Sequence, residues 1–253
     1  MLDTWLPWLT CVGLLSVRLT VALALSPAFA SFGVPGPVRV VLTLALAFLL
    51  LAGHSLPPEA VAWAQDPLTL LSACGAEVLL GALFGLSVHI VFAAFAIAGR
   101  LLDVQIGFAI GSTFDPVTRT RADIVGALMS LLAVTLFFVS DSHMELVRFL
   151  DRSVDLFPLG QLPALDDPMR PLLAAGWMYA FAIALAAPVS VALLLVDIAV
   201  GVLSRNMPQM NVLVMATPIK VLVAFLVLSL SVRTWAPLVH RDFDRAALLL
   251  GVH

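Results

Sequence analysis

Six apolar stretches dominate the chain, and segments rich in proline and charge separate them. They cover approximately residues 5–26, 38–52, 68–98, 124–139, 172–203 and 212–232. No strand-like alternation of apolar and polar residues is sustained, so the pattern predicts an all-α protein. The polar stretch 140–171 differs, because Leu146, Phe149, Leu150 and Val154 recur at helical spacing and predict an amphipathic helix over 144–157.

The lengths of these stretches fit simple membrane spans poorly. A helix needs about 20 residues to cross a bilayer, whereas the second and fourth stretches are short and the third and fifth exceed 30 residues. Gly75, Gly81 and Gly85 punctuate the third stretch, and Pro188 divides the fifth. Because proline bends or breaks helices, the two long stretches are interpreted as bent helices or tight helical hairpins.

Composition narrows the class of protein. Of 253 residues, 62% are hydrophobic and 11% are charged, and the mean hydropathy is +1.09. Soluble domains carry about 25% charged residues, so these values exclude an ordinary soluble enzyme and a disordered chain. The net charge of −3 gives no footprint for nucleic acid. Cys11 and Cys74 lie in apolar stretches and form no metal-binding motif.

The distribution of positive charge gives no membrane orientation. If all six stretches spanned a membrane, six arginines would fall on one side and five on the other. The positive-inside rule needs a clear excess on one side. This balance suits helices that are enclosed by other protein chains rather than by lipid.

Charged residues inside the apolar stretches are candidate functional residues, because such charges usually face protein or a water-filled path. Glu77, Gly81, Gly85 and His89 are spaced by four and would form one helix stripe. The glycines predict close approach of another backbone. Glu77 and His89 then face a partner or an ion path, or they form a satisfied polar pair within the chain.

A second glycine-spaced segment follows at Gly99, Asp103, Gly107 and Gly111. Arg100 and Asp103 are three residues apart and are able to pair on a helix surface. The stretch 105–116 is apolar, aromatic and glycine-rich, and Pro116 stops any helix before it. It is interpreted either as a plug that packs into a pore constriction or as a plain re-entrant connection.

Further polar residues mark the last two apolar stretches. Asp197 and Arg205 lie near the end of the fifth, Gln209 lies in a polar elbow with Pro208, and Lys220, the only lysine, follows a second kink at Pro218. No nucleotide-binding, nucleophile-elbow or zinc-protease motif occurs. The sequence therefore predicts a protein that is not an enzyme, with no cofactor and no metal site.

Taken in order, several short motifs resemble the FliR family of flagellar type III export proteins, whose injectisome counterparts are the SctT proteins. Each motif alone is weak, and their order and spacing carry the resemblance. They are Pro35-Gly-Pro-Val-Arg39, Glu77 with Gly81 and Gly85, Gly99 to Gly107, Phe114-Asp-Pro116, Ser153 with Phe157-Pro-Leu-Gly160, Ala187-Pro188, Asp197 with Gly201, Arg205-Asn-Met-Pro-Gln-Met-Asn211 and Pro218-Ile-Lys220.

The resemblance implies a multi-pass protein of the bacterial inner membrane and the flagellar basal body. It implies a single domain over 1–253, FliP-like over about 1–170 and FliQ-like over 171–253, with a short tail after Lys220. The implied partners are FliP and FliQ, in a helical assembly of five FliP, four FliQ and one FliR, together with FlhB. The assembly would pass unfolded flagellar proteins.

Residue roles also follow from the resemblance. A pore plug near 106–116 is expected at Phe108, Ala109, Ile110, Gly111, Ser112, Thr113 and Phe114. Subunit-contact or intramembrane polar roles are expected for Glu77, Arg100, Asp103, Gln105, Asp197, Arg205, Gln209 and Lys220. Two alternatives remain, an injectisome SctT subunit and a stand-alone ion-coupled transporter that uses Glu77, Asp103 and Asp197 as intramembrane carboxylates.

Overall fold

The structure, a computed structural model, describes residues 2–27, 33, 35–55, 57–108, 123–161, 170–206 and 212–248. Among these residues every regular secondary-structure element is a helix, which confirms the all-α prediction. The helices are α1 (Leu2–Leu25), α2 (Gly36–Leu51), α3 (Ala60–Gln65), α4 (Pro67–Ile106), α5 (Ile124–Val139), α6 (Ser142–Leu156), α7 (Arg170–Asn206) and α8 (Val212–Leu248).

The helix bounds correct the interpretation of the long stretches. α4 is one continuous helix of 40 residues, and α7 is one of 37 residues with Pro188 inside it. The hairpin alternative is therefore wrong for both. α8 continues to Leu248, well beyond the predicted end at residue 232, so the expected short tail after Lys220 is largely helical. The amphipathic helix predicted over 144–157 is confirmed as α6.

Two compact units make up the chain. Unit 1 comprises Met1–Ile90, Asp141–Leu172 and Phe243–His253, and unit 2 comprises Val91–Ser140 and Leu173–Asp242. The helix α4 contributes its first part to unit 1 and its last part to unit 2. The expected FliP-like and FliQ-like division near residue 170 concerns likeness to other proteins and stays a prediction.

In unit 1, α1 packs against α2, α3 and α4. A Cβ atom at Gly81 would lie 2.5 Å from the Arg18 carbonyl oxygen, and one at Gly85 would lie 2.6 Å from the Leu25 Cβ. Real side chains do not tolerate such distances, so only glycine permits this approach of the two backbones. The prediction of a small-residue seam on α4 is confirmed.

Aromatic and aliphatic side chains fill the two cores separately. In unit 1, Phe84 of α4 meets Phe149 of α6 at a centroid distance of 5.1 Å, within a core that also contains Leu15 and Trp63. In unit 2, the Phe95 ring of α4 contacts Phe181 of α7 and Trp235 of α8, at centroid distances of 6.0 and 6.1 Å. Edge-to-face geometry at these distances is favourable.

Four of the described helices contain stretches long and apolar enough to cross a membrane, namely Trp5–Leu25, Pro67–Ile106, Gly176–Arg205 and Ala216–Trp235. The number rises to five if Ile124–Val139 and Ser142–Leu156 together form one span. The assumption of six spans is not supported, because α2 and α5 have only 16 residues each. The chain is an all-α, multi-pass membrane protein.

Candidate functional site

A buried ion pair joins α1 to α4 in unit 1. The Arg18 Nε donates to Glu77 Oε2 at 2.5 Å and its Nη2 donates to Glu77 Oε1 at 3.0 Å. The same guanidinium donates to the Ser153 Oγ and carbonyl, at 3.2 and 3.1 Å, and to the Phe157 carbonyl at 3.0 Å. Glu77 Oε1 also accepts the amide of Gly160 at 2.8 Å. We call these five residues the arginine cluster.

The arginine cluster determines how Glu77 is used. Both charged side chains are fully buried, and the planar guanidinium uses all its N–H groups. Glu77 thus serves contacts within the chain and leaves no exposed surface for a partner. His89 does not pair with it, since it is exposed and its Nδ1 lies 3.2 Å from the Leu25 carbonyl.

A second carboxylate fixes the start of α5 in unit 2. Asp103 Oδ1 accepts the amide of Val125, and Oδ2 accepts the amide of Gly126, both at 2.9 Å. The first amides of a helix lack partners inside the helix, so an acceptor there is stabilising. Asp103 therefore caps α5 from another helix.

The expected pairing of Arg100 with Asp103 is wrong, because backbone amides occupy the Asp103 carboxylate. Arg100 instead lies 3.9 Å from Asp123 and is largely exposed. The close crossing of α4 and α5 explains this choice, since a Cβ at Gly99 would lie only 2.6 Å from the Gly126 Cα. Gly99 thereby brings the α5 terminus within reach of Asp103.

Replacing Asp103 with alanine should destabilise the protein by about 2 kcal/mol, because two buried amides lose their acceptor. Asparagine keeps one acceptor oxygen, so Asp103→Asn should fall between the wild type and Asp103→Ala. The melting temperature of the detergent-purified protein measures the order. Asp123→Ala, which removes a partly exposed carboxylate at the same helix start, is the matched control. Equal melting temperatures for Asp103→Ala and the control would contradict the capping role.

Lys220 forms the third polar centre, also in unit 2. Its Nζ lies 2.5 Å from Asp197 Oδ1 and donates to the Gln105 carbonyl at 3.2 Å. The Lys220 side chain is 16% exposed and that of Asp197 is 49% exposed. We call Gln105, Asp197 and Lys220 the lysine cluster. It joins α7 and α8 to the last turn of α4.

The candidate plug segment begins where α4 ends. Gly107 has φ +101°, which favours glycine, and its amide bonds back to the Asp103 carbonyl at 3.2 Å. Phe108 is half-buried. The other expected plug residues, 109–114, and Gln209 lie outside the described residues. Arg205 is exposed in the last turn of α7.

A cavity of about 460 Å³ lies in unit 1. Its lining includes His54 and Asp155, whose Nε2 and Oδ1 atoms lie 3.4 Å apart. No group of three or more histidine, cysteine, aspartate or glutamate side chains suited to a metal occurs among the described residues. Neither this cavity nor the pairing of Arg18 with Glu77 was predicted from the sequence.

The chain resembles one family of known proteins. The family model described as "Bacterial export proteins, family 1" matches residues 9–246. The flagellar biosynthetic protein FliR of Bacillus subtilis is 29% identical over 219 residues, which are 85% of this chain and 83% of that protein. FliR of Escherichia coli is 24% identical over 98% of this chain and 94% of that protein. The Yop proteins translocation protein T of Yersinia pestis is 31% identical, with 64% of each chain covered.

Proposed function

The chain belongs to family 1 of the bacterial export proteins, and from that premise we propose that it is a subunit of the flagellar type III protein export gate. One copy of the chain assembles with five FliP and four FliQ subunits, and the assembly also includes FlhB. The match over residues 9–246 and the FliR relatives carry this proposal. The gate lies in the inner membrane at the flagellar basal body and passes unfolded flagellar proteins without catalysis.

The surface of unit 2 supports a role inside an assembly. Only 22% of the most apolar segment of α7 is buried, and the same share of that of α8, whereas 61% of the corresponding segment of α4 is buried. Ile183, Leu195 and Leu222 are each more than 60% exposed. Burying one such side chain is worth about 1.5–3 kcal/mol, so these faces require cover from neighbouring helices or lipid.

Within this gate, residues 108–114 act as the pore plug. Apolar side chains in a constriction exclude water and therefore ions. Asp103 supports this role, because it holds Gly107 through its carbonyl and the start of α5 through its carboxylate. The two ends of the intervening segment are thereby anchored at one residue.

Deleting residues 107–112 should raise the ion leak of cells that contain the assembled complex, because the barrier loses its apolar filling. Leak of the membrane potential and secretion of flagellin are measured together in a strain that lacks the chromosomal copy. A six-residue deletion over 162–167, in a different connection, is the matched control. Unchanged leak together with unchanged export would refute the plug assignment.

An injectisome SctT subunit is the second candidate, favoured by the 31% identity to the Yersinia translocation protein. Expression of the chain in a flagellar fliR null strain and in an injectisome null strain separates the two. Co-purification with FliP and FliQ tests the assembly itself. The contacts of Glu77 and Asp103 give no support to the ion-coupled transporter, because both carboxylates are buried in hydrogen bonds within the chain.

A further inference from the structure

The lysine cluster lies at the C-terminal end of α4. α4 ends at Ile106, so the Gln105 carbonyl is among the last four, which have no amide partner in the helix. Lys220 supplies the donor at 3.2 Å, from a helix 115 residues away in the chain. A cation near a helix C-terminus also interacts favourably with the helix dipole.

The contact of Lys220 with Asp197 positions its ammonium group near the Gln105 carbonyl. Asp197 holds the ammonium at 2.5 Å, and the lysine side chain is largely buried. An ammonium carries three N–H donors, so it serves the carboxylate of α7 and the carbonyl of α4 at the same time. The two contacts are chemically separable, since the carbonyl needs a donor whereas the carboxylate needs a charge.

We propose that Lys220 is a positioning residue, which fixes the end of α4 through the Gln105 carbonyl and so sets where the chain leaves that helix at Gly107. The last turn of α4 has a second attachment, because the Asp103 carboxylate accepts two amides at the start of α5. Loss of Lys220 leaves one of the two constraints. The inference rests on the proposed function. Loss of Lys220 is expected to increase ion leak past the proposed plug and to leave assembly of the complex unchanged.

Four variants in the full complex test this role. Lys220→Met removes both contacts, and Lys220→Arg keeps a charged donor. Asp197→Asn removes the charge of the ion pair and leaves an oxygen that still accepts from Lys220. Arg233→Met, at an exposed position on the same helix, is the matched control for the loss of one positive charge.

The readouts are ion leak without substrate, flagellin export and the amount of chain that co-purifies with FliP and FliQ. Lys220→Met should raise the leak by about tenfold, the factor that one charge-assisted hydrogen bond provides, at an unchanged amount of complex. Lys220→Arg should restore the seal. Asp197→Asn and Arg233→Met should remain tight.

Two results would overturn the inference. One is a leak from Asp197→Asn equal to that from Lys220→Met, which would assign the effect to the ion pair alone. The other is a tight barrier in Lys220→Met. If the methionine variant does not accumulate, the comparison of Lys220→Arg and Asp197→Asn with the wild type decides, because a leak from the asparagine variant overturns the inference. If a strain without the whole chain exports flagellin normally, the proposed function fails instead.

Discussion

Glu77→Ala should prevent normal accumulation of the protein and lower the melting temperature of any complex that forms by about 10 °C. The substitution leaves the Arg18 guanidinium charged and fully buried without a counter-charge. Breaking such a pair from one side costs about 3–5 kcal/mol, which corresponds to that shift for a chain of this size. Arg18→Met should have a similar effect, because it strands the Glu77 carboxylate.

The exposed pair Glu145 and Arg148, with an O···N distance of 2.8 Å, is the matched control. Glu145→Ala should change stability by less than about 1 kcal/mol, since water screens exposed pairs. The double variant Arg18→Met/Glu77→Met should recover part of the loss by removing both charges. It should not recover all of it, because the Phe157 carbonyl and the Gly160 amide lose their partners. If the Glu77→Ala variant were as stable as the Glu145→Ala variant, this result would contradict the role of the arginine cluster.

Gly160→Ala is the second substitution with a large expected effect. Gly160 has φ +74°, and a Cβ there would lie 2.5 Å from the Trp63 Cζ2 and 3.1 Å from the Ala73 Cβ. The backbone conformation costs about 1–2 kcal/mol for a residue with a Cβ, and overpacking costs about 1–3 kcal/mol. Moving the turn to relieve the clash also pulls the Gly160 amide away from Glu77. The expected total is about 3 kcal/mol, read from the melting temperature.

Gly33→Ala separates the two causes of that loss. Gly33 also has a left-handed φ, +58°, but nothing lies within 4 Å of its Cβ position. Its replacement should cost only the conformational term, about 1 kcal/mol. Equal melting temperatures for the two alanine variants would show that the contact with Trp63 adds nothing.

The helices were predictable because their signals are local. The stretch 124–139 coincides with α5, and the periodicity of 144–157 located α6 to within two residues. The glycine seam was also predictable, since residues spaced by four share a helix face. The continuity of α7 through Pro188 was not, because the cost of a proline depends on the surrounding helices.

The polar centres were predictable as residues but not as contacts. Glu77 and His89 share a face, yet twelve residues of helix separate them by about 18 Å, so the alternative in which they pair with each other is wrong. The actual partner, Arg18, is 59 residues distant in sequence. A lone cation in one apolar helix and a lone anion in another was the available signal. The link from Lys220 to a backbone carbonyl left no trace in the sequence, because any residue supplies a carbonyl.

The exposed apolar faces of α7 and α8 connect the stability of this protein to its surroundings through mass action. Anything that binds the folded chain and not the unfolded one adds to its stability as its concentration rises, by about 2.7 kcal/mol at 100 times the dissociation constant. Because only 22% of the most apolar segments of α7 and α8 is buried, the chain is least stable immediately after synthesis, before its neighbours bind. Its abundance in a cell should follow the supply of those neighbours rather than the rate of its own translation.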